Sequence, residues 1–343
     1  MEKVILGRTG LLVSRIGMGG IPIIPLPVDE AVAIVKEALR LGVNFIDSAN
    51  RYRNSEEKIG LAIQGIPRDE IVLATKSGAF DKQTFNEHLE KSLRSLGVDY
   101  IDIYQLHNVT AKNREEIFAP GGSCEGLIEA VQAGKVRYPG FSCHNCVLAV
   151  EIMKENRFDV VQLPFNYVDT EALSVAIPLA RKLNMGFIAM KPMGGGMLDD
   201  AGLAFRYLLQ FDGIVPDPGI DRIEDIQEIV AIVEADMPLT REDQDEIERI
   251  REELKETWCH RCNYCLPCSQ NVTITSILSI KSYFKRYGVA GSDKKLADAE
   301  QSIKRCLGCR ECVSRCPYNL DIPRLLVENV EYWRQALKSN NSG

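Results

Sequence analysis

The sequence has no long hydrophobic run: Gly, Pro, Lys or Asp interrupts every apolar stretch well short of a membrane span, which excludes an integral membrane helix. Its start, MEKVILGRTG, has no apolar signal core, so the expected location is the cytoplasm. A basic stripe is also missing. The net charge of -7 is spread through stretches of mixed sign, which excludes a nucleic-acid or anionic-membrane surface and leaves a small molecule as the expected partner. No G-x-G-x-x-G turn follows an early strand, no flavin fingerprint is visible and no low-complexity block occurs. With 45% hydrophobic and 26% charged residues in 343, the chain is not disordered; it can bury a full core and still hold a second unit.

What the sequence does have is cysteine, 11 in all. Those from Cys259 to Cys316 repeat a C-x-x-C spacing, which in a large chain without a signal sequence points to metal or cluster ligation rather than disulfides. Cys124, Cys143 and Cys146 have no such spacing and read as buried spectators.

Between Gly42 and Val233, short β-branched runs alternate with segments of helical period. The strands are SRIGMGG, VNFIDSA, EIVLATKS, YIDIYQLH, VRYPGFS, DVVQLPF, MGFIAMKP and GIVPDPG. Amphipathic segments lie between them, from VDEAVAIVKEALRLG through EALSVAIPLARKLN to RIEDIQEIVAIV. Eight β-α units in about 230 residues, without the dinucleotide-binding glycine turn, predict an α/β fold, a (β/α)8 TIM barrel, over residues 1–236. A charged connecting helix is expected over 237–257, with Ile247, Ile250 and Leu254 on one face. A mainly helical, ferredoxin-like cysteine module follows over 258–330, and KSNNSG closes an expected tail over 331–343.

TIM barrels place reactive groups at the C-terminal ends of their strands. Asp47 ends the second strand, Tyr52 lies in the loop after it, Lys76 ends the third and His107 the fourth. Singly, an aspartate there is commonly a helix cap, and the tyrosine and lysine read as surface residues. Together they make a proton donor. A tyrosine releases a proton near neutral pH when a lysine ammonium stabilises its phenolate, an aspartate fixes that lysine, and a neutral histidine orients a substrate oxygen.

LGRTGLLVSRIGMGG, FIDSANRYRNSEEKIG, the pair Thr75-Lys76 and QLHN resemble the aldo-keto reductase family over residues 1–235. The resemblance implies a catalytic tetrad of Asp47, Tyr52, Lys76 and His107, with Tyr52 as general acid, and a nicotinamide dinucleotide held without a Rossmann fold. It implies cofactor contacts from Ser142 in GFSCH, Gln162 in VQLPFN, Met190, Lys191, Pro192, Met193 and Gly194 in AMKPMGGG, and Gly219 and Arg222 in DPGIDRIED. The glycine run is either a plain loop or an approach for a pyrophosphate. This chain departs from the family at several places. Met190 stands where many members stack a tyrosine, Cys143 replaces an asparagine, Arg53 takes a glycine position, and Asp221 and Asp225 flank Arg222. NADP is the expected cofactor, with NAD as the alternative.

CLGCRECVSRCP, with Cys306, Cys309, Cys312 and Cys316 before Pro317, has the C-x2-C-x2-C-x3-C-P spacing of bacterial ferredoxins. CHRCNYCLPC, with Cys259, Cys262, Cys265 and Cys268, lacks one spacer and the proline. By analogy, one [4Fe-4S] cluster takes Cys259, Cys262, Cys265 and Cys316, and a second takes Cys306, Cys309, Cys312 and Cys268. Structural zinc is the alternative, although two C-x2-C-x2-C runs are denser than zinc requires. Trp258, Tyr264 and Tyr318 are expected to shield a cluster.

The expected function is reduction of a small carbonyl compound to an alcohol, or the reverse, by an enzyme that also carries two [4Fe-4S] clusters. The clusters then have a structural or sensing role, or serve an electron-transfer partner. The rival is a non-catalytic, cofactor-binding redox sensor or docking protein.

Overall fold

The computed structural model describes residues 1–287 and 293–340. By contact density the chain divides into two units, Met1–Gly194 with Asp200–Leu239, and Gly195–Asp199 with Thr240–Gly343.

The first unit begins with an antiparallel hairpin, β1 (Lys3–Ile5) and β2 (Leu12–Ser14), turned by a short 3-10 segment Gly7–Thr9. Eight parallel strands follow: β3 (Met18–Gly19), β4 (Phe45–Asp47), β5 (Val72–Ser77), β6 (Ile101–Val109), β7 (Val136–Cys143), β8 (Val160–Pro164), β9 (Gly186–Met190) and β10 (Ile214–Asp217). They pair in chain order. Closure comes from a parallel bridge between Gly19 and Gly219, with Gly17 N donating to Pro216 O at 2.8 Å and Gly19 N to Pro218 O at 2.7 Å. The close approach at this seam needs glycine: a Cβ on Gly17 would stand 2.5 Å from the Phe45 ring.

Helices cover the strands where the sequence has apolar residues at i, i+3, i+4 and i+7. Val28–Arg40 buries Ala31, Ile34, Val35 and Ala38. Lys82–Leu96 starts where the Asp81 side chain accepts from Thr84 N and ends at Gly97 in the left-handed region. EALSVAIPLARKLN, expected as one helix, is two: Glu171–Ser174 and Ala176–Lys182. Pro178 explains the break, because it has no N–H for the carbonyl of Ser174 and its ring would clash there.

The second unit is helical. Arg241–Leu254 opens on a capping box of Thr240 and Asp243, and of its apolar face only Ile247 is fully buried. The helices Ile274–Leu278, Ile280–Tyr287, Asp293–Lys304, Glu311–Ser314 and Ile322–Asn340 follow. Their core joins Ile274, Ile277, Phe284, Leu325 and Trp333. The stretch expected as a tail is mostly the second half of Ile322–Asn340, which buries Val330, Trp333 and Leu337 at helical spacing. Residues 341–343 of that tail, and 288–291 of the expected helical segment SILSIKSYFKRYGVAG, lie outside the described residues. No helix among the described residues is long and apolar enough to cross a membrane.

Candidate active site

Inside the barrel, Phe45, Ala74, Ile103, Val160, Ile188 and Val215 form an apolar layer with Leu6, Leu11 and Val13 of the hairpin. Side chains alternate along a strand, so the inward residue two positions on belongs to the next layer. Those residues are Asp47, Lys76, Gln105, Gln162, Met190 and Asp217. The apolar floor therefore carries a polar layer at the C-terminal ends of the strands.

Asp47 and Lys76 are 3% and 2% exposed. The Lys76 ammonium donates to Asp47 Oδ2 and to the Ser48 carbonyl, the latter at 2.7 Å, so a buried cation meets a buried anion. The loop after β4 is tied to the same strand. Asn50 N donates to Lys76 O at 2.9 Å and Tyr52 N to Ala49 O at 2.8 Å, which sets Tyr52 over the pair. Lys76 Nζ lies 5.6 Å from the Tyr52 ring centroid. Arg53, at its glycine position, is exposed and adopts a left-handed φ of 47°.

His107 stands edge-on to Tyr52, with ring centroids 5.6 Å apart. Burial first, then the charges of Lys76 and Arg51, bring its pKa down to about 3, so the ring is neutral at physiological pH. Its Nδ1 is buried without a partner. The structure thus brings the four residues singled out by sequence to one place.

Gln162 Nε2 donates to Asp47 Oδ2 and to Asp217 Oδ2, each at 3.2 Å. Its Oε1 is buried and unpartnered. Ser142, the register partner of Gln162, accepts from Asn108 N at 2.8 Å and keeps its own hydroxyl proton to donate. One buried acceptor beside one hydroxyl donor fits the carboxamide of a nicotinamide. Met190 ends β9, and Lys191 and Gly194 follow it with φ of 59° and 57°. Pro192 is buried and Met193 half-buried between them. Lys191 Nζ lies 2.8 Å from His144 Nε2, and His144 Nδ1 lies 3.2 Å from Asn108 Oδ1. Gly219 is part of the closing bridge, whereas Arg222 is exposed and paired with Glu224 at 3.4 Å.

Two polar members of the inward layer were not anticipated from sequence, Gln105 and Asp217. Gln105 is fully buried, and neither end of its amide has a partner. Asp217 is 6% exposed, and burial together with the nearby Asp47 charge holds its carboxyl well above the usual range. Cys143 and Cys146 are buried, and desolvation raises Cys143 to about 11, as spectators would be.

Within the helical unit, Cys265 and Cys316 are buried in the core, with Cys259, Cys268, Cys306 and Cys312 packed against it. Cys265 lies within electrostatic reach of Cys259, Cys262, Cys312 and Cys316. A cavity is lined by Cys265, Cys268, Cys306, Cys309 and Cys312. Thiols from both sequence runs therefore line one cavity. Trp258 is buried, and Tyr318 stacks on His260 at 3.5 Å between centroids.

The eight-stranded parallel barrel thus carries a buried Asp-Lys pair under a tyrosine at the C-terminal ends of its strands. Residues 15–203 match the model of the Aldo/keto reductase family, and the chain belongs to that family. Residues 258–321 match the 4Fe-4S dicluster domain, which resolves the choice between zinc and iron-sulfur in favour of the latter. The chain is 29% identical over 215 residues to L-galactose dehydrogenase from Arabidopsis thaliana, covering 57% of this chain and 67% of that protein. It is 28% identical over 228 residues to the NADH-specific methylglyoxal reductase of Escherichia coli, covering 58% and 69%. The solved aldo-keto reductase AKR11C1 from Bacillus halodurans superposes with a TM-score of 0.63 at 27% identity, over 73% of this chain and 96% of that one.

Proposed function

We propose that the barrel transfers hydride between a nicotinamide dinucleotide and a small carbonyl or alcohol compound, with Tyr52 handling the proton. The observation that carries this reading is the placement of the Lys76 ammonium 5.6 Å from the Tyr52 ring, with Asp47 holding it from below. When bound, the dinucleotide supplies or accepts the hydride. Ser142 and Gln162 would orient its carboxamide, with Met190 and Lys191 to Gly194 as the further residues that would hold it. Tyr52 donates its proton to the carbonyl oxygen, Lys76 stabilises the phenolate left behind, and neutral His107 hydrogen-bonds the same oxygen. A relative named as an NADH-specific reductase supports a nicotinamide cofactor; NADP is our choice over NAD through the resemblance to the family. Arg222 is the 2′-phosphate candidate, and its exposure leaves it accessible for that contact.

The helical unit holds two [4Fe-4S] clusters in this reading, one on Cys259, Cys262, Cys265 and Cys316 and one on Cys268, Cys306, Cys309 and Cys312. They are not needed for the hydride step, because the barrel's proton donor and its supports are complete without them. Tyr52→Phe tests the assignment: carbonyl reduction should fall by at least about 100-fold with cofactor binding nearly intact. Undiminished turnover in a screen with NADPH and NADH would reject it.

A further inference from the structure

Asp217 ends β10 on the inward face, level with the proton-donor group and unused by the reaction as described. Gln162 Nε2 has two hydrogens and directs one to each acid, at 3.2 Å to Asp47 Oδ2 and 3.2 Å to Asp217 Oδ2. That leaves the remaining oxygens, Asp47 Oδ1 and Asp217 Oδ1, buried without a partner. Two ionised carboxylates on one amide, with the single Lys76 ammonium bonded to Asp47, would leave one negative charge in excess in a site shut off from water. A single proton on Asp217, bonded to Asp47, removes the excess charge and satisfies both acids. Room for this carboxyl is made by the seam strand: a Cβ on Gly17 would come 3.2 Å from Asp217 Oδ1, and one on Gly19 3.4 Å from both oxygens.

We propose that Asp217 is a neutral carboxylic acid that donates a hydrogen bond to Asp47 and positions the Asp47–Lys76 pair beneath Tyr52. It is a positioning residue and touches no reacting atom. By drawing electron density from Asp47, it loosens that carboxylate's hold on the Lys76 charge and leaves more of the cation's field for the Tyr52 phenolate. The charged and titratable groups facing this assembly are Asp47, Lys76, Tyr52 and His107, with Arg51 acting on His107 and Glu56 within electrostatic reach of Lys76. The effect on turnover rests on the reading of Tyr52 as the proton donor. The protonation of Asp217 does not.

The test therefore has two readouts on the full-length protein. Infrared difference spectra at neutral pH, wild type minus Asp217→Asn, should show the C=O stretch of a protonated carboxylic acid; Glu56, whose pKa is also raised by burial, cancels in the difference. No such band overturns the proposal whether or not the enzyme turns over. Kinetically, Asp217→Leu should lower kcat about tenfold with KM for the dinucleotide little changed and move the alkaline limb of the pH profile upward. Asp217→Asn keeps an N–H donor to Asp47 and should recover kcat to within about threefold of wild type with the limb restored. Equal loss in both variants with an unmoved limb would make Asp217 a packing residue only and overturn the proposal. If Asp217→Leu does not fold, the infrared band and the Asp217→Asn profile decide it.

Discussion

His107 gives the sharpest quantitative prediction. Its pKa falls to about 3 in the folded barrel, against about 6.5 for a histidine in an unfolded chain. Between those values the unfolded chain binds a proton that the folded chain refuses, so stability is fully present above about pH 6.5 and is lost as the pH drops toward the folded value. The slope approaches about 1.4 kcal/mol per pH unit, and between about pH 7.5 and about pH 5 it accumulates to about 2 kcal/mol. His107→Gln removes the titrating group and keeps an amide at the site. Urea unfolding of both proteins across this range should therefore show the stability difference moving by about 2 kcal/mol in favour of the glutamine variant as the pH is lowered. Acid effects on the cysteine unit and on all other groups are common to both proteins and cancel. Parallel curves would show that His107 takes up a proton as easily in the barrel as in water, and the neutral role assigned to it would fall.

Lys76→Met should depress turnover and move the alkaline limb of the rate profile upward, because the Tyr52 phenolate loses its cation; an unaltered profile would assign Lys76 another task. Anaerobically purified protein should be brown and hold about eight irons, and replacing Cys309 and Cys312 together by serine should abolish one cluster's signal. Hydride transfer in a single turnover should survive in that double variant, and its loss in a folded, cofactor-binding protein would put the clusters in the reaction. Lys58→Met should cost about 1–3 kcal/mol, read as a lower urea midpoint, since the buried ammonium donates to the carbonyls of Ile23 at 2.9 Å, Ile24 at 3.0 Å and Leu26 at 2.7 Å.

The barrel is legible because most strands contain β-branched residues and most helices keep an apolar face, and the candidate site because Asp47, Lys76 and His107 sit at or near strand ends with Tyr52 in the loop after one of them. Asp217 escaped notice because P-D-P-G is also turn composition, in which an aspartate needs no further reason. Gln105 was hidden in YIDIYQLH, where only counting two residues back from His107 places it on the inward face. The hairpin was missed for another reason. Its strands have three residues each, too short for a period of two to register, and they owe their conformation to the barrel beneath which they pack. The second half of Ile322–Asn340 reads as a tail because KSNNSG looks like coil, while its apolar positions reach Leu337.

The hairpin also imposes an order in time. Leu6, Leu11 and Val13 are made well before the strands they meet, yet they pack with Val160, Ile188 and Val215, and Arg8 meets Asp159 at 2.7 Å. About 200 residues separate Val13 from Val215, which at ribosomal rates of about 5–20 residues per second is a wait of roughly 10–40 s. Throughout that interval the plug of the barrel exists without a barrel to plug. The nascent chain must carry an apolar hairpin in search of partners not yet synthesised, and closure of the first unit is held back until its last strand has left the ribosome.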